Sequence, residues 1–493
     1  MYDKAGVVEF ARSLDAAGWR LLASGGTAGV LAAAGLPVVD VADLTGVPAI
    51  LDHRVVTLHP RVHGGVLADL SDQRHVADMA LHGIEAIDLV VVNLYPFEVQ
   101  PGVDTIDVGG PALVRAAAKN HARVGVVLHP DDYPPVLHEI LRDGGLSAGT
   151  RRRMARTAFA RLAAYDAAIA QWFDTDEGAD DELPRRLALS LERVQTLRYG
   201  ENPHQRAARY RPPTGGGWPD HMVQHQGREL SYLNLLDADA AWQLVHHFDD
   251  PAAVIVKHAD PCGVAVADAA EVAYLAALDC DPVSAFGGVV AVNRPVTVAL
   301  AASVVKVFTE LLIAPSVDGA AAEVLAARPG LRVLTAPAPT GARLQIRPLD
   351  AGYLVQNTDP VAADSSAWRV VSARPPSPDE WAALGFAWAV CAAVSSNAVV
   401  VARHGKAVGI GGGQPNRVDA ARWALRRAGT RSQGGVCASD GFFPFADAVD
   451  ELAAAGVTAV VQPGGSIRDP EVVAAADRHG LAMVVTGERH FRH

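Results

Sequence analysis

The sequence predicts an α/β fold in two domains, a smaller N-terminal one on a parallel sheet and a larger C-terminal one. Three observations predict it. The chain has 493 residues, enough for about two to four domains of ordinary size. Strand and helix phrases alternate along both halves, the pattern of a parallel sheet covered on both faces. Between the halves, Asp174–Pro184 (DTDEGADDELP) is acidic and almost free of apolar residues, which marks a linker. The expected limits are 1–175 for the first domain, 176–187 for the linker and 188–493 for the second.

In the first domain Val7, Phe10, Ala11 and Leu14 share one helical face, Gly18 ends that helix, and Trp19–Ala23 reads as a strand. Ser24-Gly25-Gly26-Thr27 leads into a helix reaching about Ala34, and Val38–Val41 is the next strand. Ile87–Val92 and Val124–Leu128 are strands on either side of a helix over Pro111–Lys119, and a long helix near Arg151–Phe173 closes the region. In the second domain Ala253–Val256 is a strand, and Ala398–Ala402 with Lys406–Ile410 forms a hairpin turning at His404-Gly405. Ala446–Ala455, Val457–Val461 and Val472–Ala476 continue the alternation, and Leu481–Val485 is a last strand before the tail TGERHFRH. AAGWRLLASGGT and AAGVTAVVQPGGS echo one another as helix, Gly, strand and Gly-Gly loop, without a solenoid period.

Composition narrows the function. Apolar residues make up 50% and charged residues 20%, which excludes a long disordered chain. A net charge of −12 with no basic run argues against nucleic acid or an anionic membrane as partner, although a phosphate site needs only a few local donors. Cys262, Cys280, Cys391 and Cys437 form no CxxC pair, which fits a reducing cytoplasm. MYDKAGVVEF has neither the basic nor the apolar stretch of a signal peptide. Trp381–Ala402 carries no charge over 22 residues, but Ser395, Ser396 and Asn397 interrupt it, so it reads as a buried helix, a polar turn and a strand.

Several phrases carry groups suited to chemistry. Ser24-Gly25-Gly26-Thr27 sets glycines, helix-start N–H groups and two hydroxyls where a phosphate binds; an ordinary capped turn is the plain alternative. Asn93-Leu94-Tyr95-Pro96-Phe97 follows a buried strand, at the end where ligands collect in open α/β sheets, so Tyr95 is a site hydroxyl or a boundary tyrosine. Asp107-Val108-Gly109-Gly110-Pro111 opens the helix ending in Lys119; both charged residues are site groups or simply turn and helix-end residues. Lys257-His258 follows a strand directly and precedes Asp260-Pro261-Cys262-Gly263, a proton-transfer pair or a solvated surface pair. A deaminase zinc site needs H-x-E with P-C-x-x-C; Pro261-Cys262 lacks the second cysteine, so no metal is expected. Gly409-Ile410-Gly411-Gly412-Gly413 is not a dinucleotide fingerprint and reads as a turn where a flat ligand lies on backbone, before a helix capped by Asn416. RYGENPHQ from Arg198 and the tail from Arg489 to His493 are donor-rich clusters suited to an anion, the tail only if it is ordered.

These phrases fall in one order over nearly the whole chain: SGGTA at Ser24, TLHPRVHGG at Thr57, NLYPF at Asn93, IDVGGPALVRAAAKNH at Ile106, LRYGENPHQ at Leu197, LLDADAAW at Leu235, KHADPCG at Lys257, SAFGG at Ser284, SSNAV at Ser395, GIGGGQ at Gly409, SDGFFPF at Ser439 and QPGGSIRD at Gln462. In this the chain resembles the AICAR transformylase/IMP cyclohydrolase family of late purine biosynthesis. The resemblance implies a methylglyoxal-synthase-like cyclohydrolase domain followed by a transformylase domain of two cytidine-deaminase-like subdomains without zinc. It implies formyl transfer from the co-substrate 10-formyltetrahydrofolate to the 5-amino group of AICAR, then cyclisation of the product, FAICAR, to IMP. It also implies a cytoplasmic homodimer with shared transformylase sites.

By the same resemblance His258 is the base, Lys257 the proton donor to the departing folate nitrogen, and Asn397 the donor to the formyl oxygen. Arg198 and Arg489 hold the phosphate, Tyr199 and His493 contact substrate, and Asn234, Gly287 and Glu310 contact base or ribose. Phe442 and Phe443 shape the folate pocket beside Asn397. In the cyclohydrolase, Ser24, Gly25, Gly26 and Thr27 cradle phosphate near Arg54 and Thr57, Asn93 contacts substrate, and Tyr95, Asp107 and Lys119 act around the ring.

Three features depart from the family. Val56 stands where R-V-K-T-L-H-P has lysine. Ala5 replaces the threonine of S-x-x-D-K-T-G, and the family's first strand, with its serine, is missing. The segment between Phe97 and Ile106 is short. These changes predict weak ring closure beside intact formyl transfer. They leave open a duplicated copy acting on an AICAR-like nucleotide, and an N-terminal domain that binds nucleotide without turnover. The transformylase phrases change less, chiefly Gly441 for Ala and Ala446 for Arg.

Overall fold

The computed structural model describes residues 1–51, 53–176, 183–212, 216–341, 344–361 and 365–493. Much of the expected linker, 177–182, lies outside the described residues. Met1–Leu191 form most of one compact unit, and Glu192–Arg211 with Gly215–His493 form the other.

In the first unit helix Val7–Ala16 buries Val7, Phe10, Ala11 and Leu14, the face their spacing defines. Leu21–Ala23 pairs with Val38–Asp40 and Leu89–Val91 with Gly125–Val127, both in parallel. The parallel sense follows the sequence reading, but among the described residues one continuous sheet does not form: the two pairs are separate sheets. A cavity of about 1170 Å³ lies against both, lined by Leu21 and Ala23 from one pair and Leu89 and Val91 from the other. Helix Gly109–Lys119 buries Val114 and Ala117 against Ala155, Ala158 and Leu162 of the long helix Ala148–Asp176.

The second unit carries one twelve-stranded sheet whose halves repeat one topology. In the first half an edge strand (Val223–Gln226) and a helix (Tyr232–Val245) precede a hairpin (Ala252–Lys257 and Asp260–Val266). Three strands follow, Gly288–Val292, Thr309–Ala314 and Arg332–Thr335, separated by helices. The second half repeats the series as Arg369–Val370, Pro378–Ala392, the hairpin Val399–Arg403 and Lys406–Gly411, then Val436–Ser439, Ala459–Gln462 and Ala482–Val485. The two hairpins meet at the centre of the sheet, Ala265 against Lys406. Each half then runs outward through mutually parallel strands to an antiparallel edge strand.

Close packing repeats with the topology. A Cβ on Gly263 would lie 2.0 Å from Ala277 O, and one on Gly409 would lie 2.0 Å from Ala424 O. Glycine at both places lets the following helix lie directly on its strand. The GIGGG phrase therefore contains a strand end that admits helix Arg417–Ala428, and this corrects the reading of a ligand-facing turn. Asn416 caps that helix as expected, accepting the Asp419 N–H.

Helices Tyr232–Val245 and Pro378–Ala392 share one face of the sheet. There Trp242, Phe386 and Trp388 are buried with Val254 and Val400 in one cluster spanning both halves. The opposite face has a separate core in each half. The uncharged Trp381–Ala402 run is the second of those helices, a turn and a strand, and among the described residues no helix is long and apolar enough to cross a membrane.

Candidate active sites

The cavity of the first unit collects most of the polar groups singled out in that half. Ser24, Thr27, Arg54, Thr57, Asn93, Tyr95 and Asp107 line it, and so does Val56. Ser24 stands at the start of helix Gly25–Ala33 and makes no side-chain capping bond, so its hydroxyl is not spent on the helix. Lys4, which sequence reasoning passed over, reaches this loop: a Cβ built on Gly26 would sit 3.9 Å from its Nζ. A cation beside a helix N-terminus gives the loop the character of an anion site. Asp107 Oδ1 accepts the Gly110 N–H at 2.8 Å, and the Tyr95 N–H also points at this carboxylate. Position 110 must be glycine for that, because a Cβ there would meet Asp107 Oδ2 at 2.4 Å. Burial pushes the Asp107 carboxyl above its ordinary value, opposed by these N–H groups. A carboxyl so placed works as a proton acceptor closer to neutrality.

Some placements differ from the reading. Lys119 is exposed at the last turn of helix Gly109–Lys119, about 15 Å of helical rise from the Asp107 end, and does not line the cavity. Asn93 spends its amide on the chain start: Oδ1 accepts the Tyr2 and Asp3 N–H groups at 2.7 and 3.1 Å, and Nδ2 donates to Asp3 O at 2.6 Å. Gly25 and Gly26 form the first helical turn behind Ser24, off the cavity wall. Arg54 pairs with Asp104 at 3.1 Å in solvent.

The second cluster sits at one end of the twelve-stranded sheet. Lys257 ends its strand, and His258-Ala259 make a two-residue turn with left-handed φ of 60° and 63°. Lys257 Nζ donates to Phe286 O at 2.8 Å, which ties it to Gly287 and the next strand. Gly287 has φ of 76°, and its N–H donates to Phe308 O at 2.7 Å. Beyond the turn, Asp260 accepts the Ser395 N–H at 2.8 Å. That bond joins the Lys257-His258 turn to the Ser395-Ser396-Asn397 loop. Asn397 is held from both sides: Nδ2 donates to Gln414 O and Oδ1 accepts from Arg417 Nη2, both at 2.7 Å. Arg417 pairs with the fully buried Asp440, which also accepts the Ala398 N–H at 2.9 Å and the Ser396 hydroxyl.

The C-terminal tail docks on the same loop. Ser396 N–H donates to Arg492 O at 2.9 Å, and Arg492 N–H donates to Ser396 Oγ at 3.1 Å. Buried His490 bonds Asp359 at 2.7 Å, Arg489 lies over the Phe491 ring at 4.6 Å, and Arg347 donates to His493 O. The tail is thus ordered, as a site role requires.

The remaining expected residues divide. Arg198 lies over the Tyr199 ring at 4.6 Å and donates to its hydroxyl at 2.7 Å. Tyr199 O accepts the Tyr232 N–H at 3.4 Å, at the start of the helix that carries Asn234. Asn234 completes the capping box of that helix, exchanging bonds with Ser231 at 3.1 and 3.2 Å, so its Oδ1 is engaged there. Glu310 pairs with buried Arg332 at 2.6 Å. Phe442 is 40% exposed, whereas Phe443 is fully buried in the core with its N–H on Gln462 Oε1. The core takes up the Phe443 ring, so the expected pocket role does not hold for it. Sequence reasoning also missed Asp237, Asp260, Arg417 and Asp440. All but Arg417 lie inside phrases that carried the resemblance, which was the available signal. Among the described residues no group of three or more His, Cys, Asp or Glu is placed to hold a metal ion.

A parallel-stranded α/β unit with a polar cavity, followed by a duplicated α/β unit with its own polar cluster, is a two-site enzyme architecture. Comparison with known proteins agrees. An MGS-like domain matches residues 6–120, and the AICARFT/IMPCHase bienzyme family matches residues 117–427. The chain belongs to the AICARFT/IMPCHase bienzyme family, whose members are bifunctional enzymes of purine biosynthesis. The "Bifunctional purine biosynthesis protein PurH" of Parvibaculum lavamentivorans is 50% identical over 517 residues, covering 100% of this chain and 96% of that protein. The protein of the same name from Rhodospirillum rubrum is 49% identical over 513 residues, covering 100% and 97%. The crystal structure of ForH matches at 38% identity with a TM-score of 0.33, over 35% of this chain and 93% of that one.

Proposed function

We propose that the second unit transfers a formyl group from 10-formyltetrahydrofolate to the 5-amino group of AICAR, and that the first unit closes the product, FAICAR, to IMP. The observation that supports this most is the Asp260–Ser395 bond at 2.8 Å, which brings Lys257, His258 and Asn397 to one sheet end beneath the docked tail. The amine of AICAR is conjugated to its carboxamide and is a weak nucleophile. His258 takes its proton as the nitrogen bonds to the formyl carbon, and Asn397 steadies the charge on the formyl oxygen. The bond from that carbon to the folate nitrogen then breaks, and Lys257 delivers a proton to the nitrogen. Arg198 and Arg489 hold the phosphate, since a guanidinium fork binds it bidentately. In the first unit Ser24, Thr27 and Lys4 hold the phosphate. Asp107 and Tyr95 move protons while the carboxamide nitrogen attacks the formyl carbon and water leaves. Incubating the purified chain with AICAR and 10-formyltetrahydrofolate, and resolving FAICAR from IMP, tests the reading. Unconsumed AICAR would overturn it.

Val56 lines the cyclohydrolase cavity and offers neither charge nor hydrogen bond. A charge-assisted bond is worth about 1.5–3 kcal/mol, so FAICAR accumulates and Val56→Lys speeds IMP formation by at least about 10-fold. Equal rates of IMP formation in the two proteins would refute a role for this position.

We further propose a cytoplasmic homodimer with domains at 1–175 and 188–493 joined by a linker over 176–187. Among the described residues the hairpin of Leu344–Leu349 and Gly352–Asn357 pairs with no other strand, and it exposes Leu349 by 53%, Tyr353 by 70% and Leu354 by 57%. A second copy covers such apolar surface. Sedimentation velocity at assay concentration should give a dimer; a fully active monomer would contradict the proposal.

A further inference from the structure

The hairpin turn that carries His258 has a counterpart in the second half of the sheet, and the two are held differently. The counterpart is Arg403-His404-Gly405-Lys406, with φ of 49° at His404 and 69° at Gly405. Glycine adopts that backbone freely. In the first half the equivalent position is Ala259, whose φ of 63° is unfavourable for a side chain. What accompanies the alanine is Asp237, on helix Tyr232–Val245. Its Oδ1 accepts the Ala259 N–H at 2.7 Å, and the His258 N–H is directed at the same carboxylate. Counted from the capping serines Ser231 and Ser377, the matching place on helix Pro378–Ala392 holds Ala383, which has no acceptor, and among the described residues no side chain is bonded to the His404 or Gly405 N–H. The fold can therefore make this turn without an acid. Among the described residues, a partly buried carboxylate is found only at the turn that bears His258. Burial pushes the Asp237 carboxyl up, opposed by the two N–H groups of the turn and by the imidazole.

We propose that Asp237 is a positioning residue for formyl transfer: its carboxylate fixes the left-handed His258-Ala259 turn and so holds the imidazole at the sheet end, beside Lys257. The proposal rests on the reading of His258 as the base. Asp237 touches no substrate in this account and acts only through the turn.

The test is a double-mutant cycle on formyl transfer. Asp237→Asn keeps the shape but replaces one acceptor oxygen with a donor amide NH2 group. It should lower kcat by about 10- to 100-fold, within the range of a misplaced general base, with KM for AICAR changed by less than about 3-fold. The same substitution in His258→Ala should change kcat little, because there is no imidazole left to position. Ala259→Gly added to Asp237→Asn should restore much of the lost kcat, because glycine holds the turn unaided. An Asp237→Asn loss that is equal with and without His258, or that Ala259→Gly does not relieve, overturns the proposal. Full activity in His258→Ala would instead remove the reading of His258 itself. Should Asp237→Asn fail to fold, Ala259→Val strains the turn with Asp237 in place; it should lower kcat in the same way, and an unchanged kcat overturns the proposal.

Discussion

His258→Ala and Lys257→Ala each lower formyl transfer by about 10²–10⁴-fold, the usual contribution of a positioned acid or base, while the protein still folds. His258 is exposed at the tip of a turn, so removing its ring leaves no cavity. Lys257 is partly exposed and loses one bond, to Phe286 O at 2.8 Å. That bond also tethers Gly287, so Lys257→Ala should raise KM for AICAR as well as lower kcat, whereas His258→Ala should act mainly on kcat. Single-turnover rates with unchanged circular dichroism check both. Near-normal turnover in the two variants would refute the assignment.

Asp440→Ala is expected to be the most damaging single truncation in the second unit. Asp440 is fully buried and accepts from Arg417, the Ala398 N–H and the Ser396 hydroxyl. Its removal leaves the Arg417 guanidinium, also buried, without a counter-charge. Breaking a buried ion pair from one side costs about 3–5 kcal/mol. Because Arg417 Nη2 also holds Asn397 Oδ1 at 2.7 Å, formyl transfer should fall along with stability. The thermal midpoint of the second unit should drop by several degrees, and a midpoint within a degree of the parent would show that the network contributes little.

Much of the fold was legible where local patterns decide it. The amphipathic spacing of Val7, Phe10, Ala11 and Leu14 and the β-branched run at Val399 read correctly, because each signal sits inside one element. Assembly was less legible. The alternation of strands and helices in the first unit pointed to one sheet, but pairing depends on which edges meet, and two separate pairs form. The sequence echo between AAGWRLLASGGT and AAGVTAVVQPGGS linked the two units, while the true duplication lies within the second. What it preserves is geometry, visible as glycine at 263 and 409 where a helix lies on a strand.

The sites divide the same way. Ser24, Thr27, Tyr95 and Asp107 sit in phrases at strand and helix ends, and the chain folds them around one cavity. Lys119 shares a phrase with Asp107, but a helix of 11 residues carries it away. Phe443 shares a phrase with Phe442, but its ring is buried in the core while that of Phe442 is 40% exposed. Asp237 and Asp260 act by accepting backbone N–H groups from remote turns, and such partners have no sequence spacing.

The central claim is that one chain carries two separate sites, with formyl transfer at the Lys257-His258 turn and ring closure in the cavity around Asp107. Supplying FAICAR directly to His258→Ala tests it most directly. IMP should form at the parental rate while the same protein fails to consume AICAR with 10-formyltetrahydrofolate. Parallel loss of both reactions in this folded variant would contradict the account.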